Sequence, residues 1–236
     1  MSDIYLALDF PTWIDAEQFL EKNELDGIPV KVGLELFYRE GSFVIEQLKR
    51  RNHPIFLDLK LHDIPTTVER AMRNLAKLEV DFVNVHAFGG REMIKRAKEG
   101  LLAGQRKKKT KLLAVTVLTS FDEQTMQREL NVKESLEYQV IHFASLAKES
   151  GADGVVCSVH EVTQIKNVCG EQFITMTPGI RLSDGEGHDQ KRIATPKVAK
   201  RLGTDHIVIG RSITRAKNPL KAYDQALEEW NDGTTN

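Results

Sequence analysis

Short runs of apolar and β-branched residues alternate along the chain with longer segments whose apolar positions recur at helical spacing. The runs predict strands over residues 4–10, 30–34, 55–61, 82–87, 112–118, 154–158, 173–178 and 207–210. The periodic segments predict helices over residues 16–22, 42–51, 66–78, 92–102, 136–148, 162–168, 196–202 and 220–230. Eight strand–helix pairs in 236 residues fit one parallel (β/α)8 (TIM) barrel, a fold that typically takes about 250 residues. No linker composition or low-complexity stretch divides the chain, so residues 1–236 are expected to form a single domain. A doubly wound open sheet is the competing architecture. It normally carries a Gly-rich turn after its first strand, where this chain reads Asp9-Phe-Pro-Thr12.

Two connections are longer than such a fold needs: residues 120–134, after strand five, and Arg181-Leu-Ser-Asp-Gly-Glu-Gly-His-Asp-Gln190, after strand seven. Long loops at the carboxyl ends of barrel strands commonly cover the active site, and the second holds glycines and polar side chains that can order around a ligand.

The polar positions inside strands point to chemistry. Lys and Asp are disfavoured in strands and costly to bury unpaired. Yet Lys31 sits in Pro29-Val-Lys-Val-Gly33, and Asp58 and Lys60 sit in Phe56-Leu-Asp-Leu-Lys-Leu61. Period-two alternation places Asp58 and Lys60 on one face, toward the barrel mouth, with Leu57, Leu59 and Leu61 on the other. Asp9 ends strand one at the same rim, and Asp63 lies just past strand three. A structural ion pair is the bland alternative, but so many charges on three consecutive strands carry a desolvation cost that hydrophobic packing would avoid. At the other side, strand seven runs into Thr177-Pro-Gly-Ile-Arg181 and strand eight into Val208-Ile-Gly-Arg-Ser212. Barrels bind phosphate at these two loops: Gly210 permits close backbone approach, and Arg181 and Arg211 supply forked donors. Both arginines follow apolar strands too closely to read as ordinary surface charges.

Composition narrows the partners. With 33 basic and 34 acidic residues the formal charge is -1, so no global field favours nucleic acid or an anionic membrane. Arg106-Lys-Lys-Lys109 reads as a solvated connection. Cys157 and Cys169 match no metal or disulfide spacing, which implies free thiols in a reducing cytoplasm. The amino-terminal segment lacks the pattern of a signal peptide, and no apolar run reaches membrane-spanning length. His62 and His86 read as hydrogen-bonded packing residues.

Together these segments closely resemble bacterial-type orotidine 5'-monophosphate decarboxylases. The resemblance runs through Ala7-Leu-Asp9, Lys31-Val-Gly33, Asp58-Leu-Lys-Leu-His-Asp-Ile-Pro-Thr-Thr67, Leu118-Thr-Ser120, Pro178-Gly-Ile-Arg181 with Gln190, and Ile209-Gly-Arg211. The strand-three segment is the most specific of these. The resemblance implies an enzyme that converts a nucleotide substrate, orotidine 5'-monophosphate, to uridine 5'-monophosphate and CO2, with Lys60 as proton donor. Lys31, Asp58, Lys60 and Asp63 would form an alternating charged array, with Asp63 and Thr67 reaching into the neighbouring site of a homodimer. Asp9 and Lys31 would contact the ribose hydroxyls, Thr119 the pyrimidine edge, and Arg181, Gln190, Gly210 and Arg211 the phosphate. No metal or organic cofactor is implied. The nearest rivals, Mg2+-dependent keto-gulonate-phosphate decarboxylases and hexulose-phosphate synthases, share an Asp-x-Lys-x-x-Asp segment but typically carry an acidic residue where this chain has Lys31. A binding barrel that lost its chemistry would be expected to lack at least one charged member, and none is missing.

Overall fold

The structure is a computed structural model and describes residues 4–183 and 193–233. Eight strands, β1 (Ile4–Ala7), β2 (Val30–Val32), β3 (Ile55–Leu61), β4 (Phe82–His86), β5 (Lys111–Val115), β6 (Gly154–Val156), β7 (Ile174–Thr177) and β8 (His206–Ile209), close into a barrel in chain order. Every neighbouring pair is parallel, including β1 with β8. This is the (β/α)8 barrel expected from the alternation of apolar runs and periodic segments.

The helices are α1 (Trp13–Lys22), α2 (Leu34–Glu40), α3 (Ser42–Arg50), α4 (Pro65–Leu75), α5 (Gly90–Gly104), α6 (Glu123–Arg128), α7 (Leu136–Glu149), α8 (Val162–Cys169), α9 (Pro196–Arg201), α10 (Arg211–Thr214) and α11 (Pro219–Asp232). Three of these, α2, α6 and α10, have no counterpart among the expected helices; α10 is a single turn, and α6 lies inside the long connection after β5. Leu34, read as the end of a strand, instead opens α2. In the long connection after β5, α6 starts where Asp122 accepts a hydrogen bond from the Thr125 amide, a side-chain cap that replaces a missing helical partner. The connection after β7 runs into residues 184–192, outside the described residues. No helix among the described residues is long and apolar enough to cross a membrane.

Alternation sorts the strand side chains into two cores. Ile4, Leu6, Val30, Val32, Ile55, Leu57, Ile207 and Ile209 face outward under the helices. Tyr5, Ala7, Phe56, Phe82, Leu113, Val115, Met176 and Val208 fill the interior. Tyr5, Phe56 and Phe82 meet edge to face, with centroids 5.9–6.4 Å apart, and plug the barrel beneath the mouth. Phe56 is fully buried, which stabilises the fold by about 1.5–3 kcal/mol and leaves the next inward position of β3, Asp58, resting on an apolar floor.

One helix pair fixes the segment after β3. A Cβ at Gly100 would lie 2.1 Å from the Glu69 carbonyl oxygen, and one at Gly104 2.2 Å from that of Arg73. Only glycine lets α5 press its backbone so closely onto α4, and α4 carries the loop with Asp63 at its amino end.

Candidate active site

At the carboxyl ends of β1, β2 and β3 the charges form a continuous row. Lys31 is level with Ala7 of β1 and Phe56 of β3, both inward-facing residues, so its stem enters the barrel. The Lys31 ammonium lies 3.1 Å from Asp9 Oδ1 and 3.4 Å from Asp58 Oδ2, and the Lys60 ammonium 2.7 Å from Asp58 Oδ1. The order is therefore Asp9, Lys31, Asp58, Lys60, with alternating sign. Asp58 is only 7% exposed. Burial pushes its carboxyl up, but the Lys31 and Lys60 charges and the hydrogen bonds from Lys60 and Asn84 outweigh this and hold it below the usual carboxylate range. For Lys31, burial pushes down while Asp58 and Asp9 more than reverse it, so its ammonium lies above the ordinary lysine value. Both groups are ionised at neutral pH.

Gly33 makes room for this row. A side chain starting there would put Cβ 3.1 Å from Lys31 Nζ and 3.4 Å from Asp9 Oδ1.

Asp58 and Lys60 meet as expected, but by a different route from plain alternation. On the β4 side the register runs Phe56 to Phe82 and Leu57 to Val83, then jumps to Leu61 with Val85. In this bulge Lys60 adopts a left-handed backbone, with φ of 49°. The Lys60 amide leaves the ladder and donates instead to Asn84 Oδ1 at 2.7 Å, while Asn84 Nδ2 donates to Asp58 Oδ1, also at 2.7 Å. Asn84 is 1% exposed and was not anticipated, although an amide inside Phe82-Val-Asn-Val-His86 is the kind of buried polar residue that needs partners.

The row forms one wall of a cavity of about 230 Å³. Phe56, Val115, Val156 and Val208 give it apolar surfaces, and Thr119 lines it as expected. The arrangement joins an apolar slot to a fixed, paired ammonium. Gly210 caps α10 directly after β8; a Cβ there would lie 3.5 Å from that of Ala7 and 3.9 Å from Asp9 Oδ2, so the end of β8 adjoins the row. Arg211, half-buried, is the first residue of α10. Arg181 is buried, its guanidinium donating to the Ile180 carbonyl and its amide to Ala194 O. Neither arginine lines the cavity. Gln190 lies outside the described residues.

Asp63 and Thr67 are exposed and line a second, wider opening of about 670 Å³, which shares Lys60 and Leu118 with the first. Asp63 Oδ1 accepts from the Ile64 amide at 2.6 Å. Among the described residues no ion pair joins Asp63 to the row within the chain. In the lining of this opening Tyr38 is 77% and Leu34 40% exposed. His62 and His86, set aside from the site on sequence grounds, border it with ring centroids 5.9 Å apart. Burial, reinforced by His62 and Lys60, holds His86 below the ordinary histidine value despite an opposing pull from Asp58.

Comparison with known proteins identifies the family. The model of the orotidine 5'-phosphate decarboxylase / HUMPS family matches residues 2–226. Two curated proteins named orotidine 5'-phosphate decarboxylase, from Bacillus cereus (strain AH187) and Bacillus cytotoxicus, are each 53% identical over 234 residues, covering 98% of both chains. The crystal structure of orotidine 5'-phosphate decarboxylase from Lactobacillus acidophilus superposes with a TM-score of 0.86 at 43% identity, covering 98% of this chain and 100% of that one. A second crystal structure, of a protein from Geobacillus kaustophilus, superposes with a TM-score of 0.85 at 46% identity over 97% of this chain. The family-model match and the full-length similarity show it: the chain belongs to the orotidine 5'-phosphate decarboxylase / HUMPS family.

Proposed function

We propose that this chain, acting as one domain, is a decarboxylase that converts orotidine 5'-monophosphate to uridine 5'-monophosphate and CO2, the last step of de novo uridylate synthesis. The observation that carries the reading is the Lys60 ammonium, held 2.7 Å from an ionised, buried Asp58 at an apolar slot.

Breaking the bond from C6 to the carboxylate leaves the electron pair in an in-plane orbital on C6, which the ring π-system does not directly delocalise. A cation fixed beside C6 stabilises that pair electrostatically, and the same ammonium then transfers a proton to it. Lys60 takes both parts and regains its proton from solvent. Asp58 lies near the substrate carboxylate, where like-charge repulsion is relieved as neutral CO2 departs. Asp9 and Lys31 hold the ribose hydroxyls and Thr119 the pyrimidine edge. Arg181, Gln190, Gly210 and Arg211 take the phosphate, so that closure of the β7 loop applies remote binding energy to the reacting end. Lys31 and Lys60 supply the positive charge in the row, and the acidic residue that a Mg2+-dependent relative needs on β2 is Lys31 here.

The working unit we infer is a homodimer in which Asp63 and Thr67 complete the partner's site. The exposed Asp63 in an opening that the exposed apolar Leu34 and Tyr38 also line supports this, because exposed apolar side chains at such an opening mark a surface that becomes covered. Cys157 and Cys169, both buried and outside any disulfide, support a cytoplasmic setting.

The test is loss of orotidine 5'-monophosphate absorbance by purified protein with no cofactor added and chelator present. Turnover unaffected by chelator is expected. No turnover, or turnover abolished by chelator, would overturn the reading.

A further inference from the structure

We infer that Asn84 is a positioning residue for decarboxylation, a neutral clamp that sets the proton donor Lys60 against Asp58; this rests on the function proposed above. The side chain makes two contacts, one with each member of the pair. Nδ2 donates to Asp58 Oδ1 at 2.7 Å, and Oδ1 accepts from the Lys60 backbone amide at 2.7 Å. The bulge between Leu57 and Leu61 removes the backbone partner that a regular ladder would give Lys60, so the Asn84 amide stands in for it. Through that bond Asn84 holds Lys60 in its left-handed conformation, with φ of 49°, and so sets the direction in which the lysine stem leaves the sheet. The other bond orients the carboxylate that the Lys60 ammonium meets. Asn84 lines neither cavity at the mouth, so it acts on the reaction through these two residues.

The residue type follows from the geometry. The position needs a donor toward a carboxylate and an acceptor toward an amide, on a side chain too short to reach the ring slot. A carboxylate would place a second negative charge on Asp58, and an alkyl group would leave the Lys60 amide without its acceptor. The neutral amide does both without changing the net charge of the row.

The experiment compares Asn84→Ala and Asn84→Asp with wild type and with Lys60→Ala. It measures kcat and KM for orotidine 5'-monophosphate across pH, uridine 5'-monophosphate affinity, and thermal midpoint. In Asn84→Ala, kcat should fall about 10- to 100-fold, the scale of a small misplacement of reacting groups, with product affinity within about threefold of wild type. Asn84→Asp should be similarly impaired at neutral pH and recover relative to wild type as pH falls. Once protonated, the introduced carboxyl can donate to Asp58 and accept from the Lys60 amide. The charged groups near this position are Asp58, Lys60 and Lys31, with His86 on the same strand and His62 beyond it. The wild-type profile carries their titration, so the ratio of variant to wild type isolates the new group.

A purely structural role would lower the thermal midpoint of both variants without acid-side recovery, and that result overturns the inference. So does Asn84→Ala with kcat within about twofold of wild type, or with its loss confined to KM and product affinity. If Asn84→Ala does not fold, the Asn84→Asp profile decides. If wild type itself fails to turn over the nucleotide, the proposed function falls separately, and crystal structures of wild type and the variants decide the clamp. Lys60 keeping its left-handed backbone and its contact with Asp58 without the Asn84 amide would refute it; loss of both would uphold it.

Discussion

Lys60 Nζ stands 2.7 Å from Asp58 Oδ1, and the strand that carries both changes register between Leu57 and Leu61. The pair is thus set by a local departure from the pleat. On the proposed mechanism, Lys60→Ala removes both the electrostatic stabilisation at C6 and the proton. Decarboxylation should fall by at least about 10⁴-fold while uridine 5'-monophosphate still binds. Steady-state assay and calorimetry check this, and near-normal turnover would remove Lys60 from the role of donor.

The proposed sharing of sites in a homodimer makes a prediction that no single variant can. Lys60→Ala and Asp63→Ala homodimers should each be inactive. After subunit exchange, hybrids contain one site with both residues intact, so activity should reappear. No recovery, with exchange verified by mass spectrometry, would place Asp63 outside the partner's site.

The row also controls stability against pH. Asp58 is depressed below its ordinary 3.8, so its contribution is complete above that value and is lost as pH falls through the lower folded value. Lys31 is raised above its ordinary 10.5, so its contribution is complete below that value and is lost as pH rises through the higher folded one. At neutral pH, Asp58→Asn should destabilise by about 3 kcal/mol, because two ammonium groups lose their common partner. Denaturant titrations should show that gap closing only below pH 3.8. A gap that persists there would contradict the assigned shift.

Gly33→Ala tests the space around Lys31. The backbone at Gly33, with φ of -91° and ψ of -176°, accepts any residue, and the nearest obstruction is the flexible end of Lys31, 3.1 Å from the new Cβ. Stability should change by no more than about 0.5 kcal/mol. Displacing Lys31 and Asp9 should raise KM by about 3- to 10-fold, with a smaller effect on kcat. Parallel thermal and kinetic measurements distinguish this from a folding defect.

The barrel was legible because parallel strands buried on both faces read as apolar runs, and β1 to β8 all fall within or overlap the expected segments. The charged row was legible for the converse reason: Lys31 and Asp58 are anomalous in such runs. What stayed hidden depends on contacts between distant segments. Nothing in Leu59-Lys-Leu61 marks a left-handed lysine, and the need for Asn84 appears only once β4 lies beside the bulge. The expectation that Asp63 acts across an interface came from family resemblance, because among the described residues its one hydrogen bond comes from the neighbouring Ile64 amide.

The left-handed backbone at Lys60 sets backbone preference against side-chain chemistry at one position. A residue with a Cβ at φ of 49° carries backbone strain of about 1–2 kcal/mol that glycine escapes. Lys60→Gly should therefore be more stable than Lys60→Ala by about 1 kcal/mol, the reverse of the usual order within a strand. Both variants should be inactive. Backbone conformation alone thus favours glycine at this position, and what lysine adds there is its ammonium, 2.7 Å from Asp58.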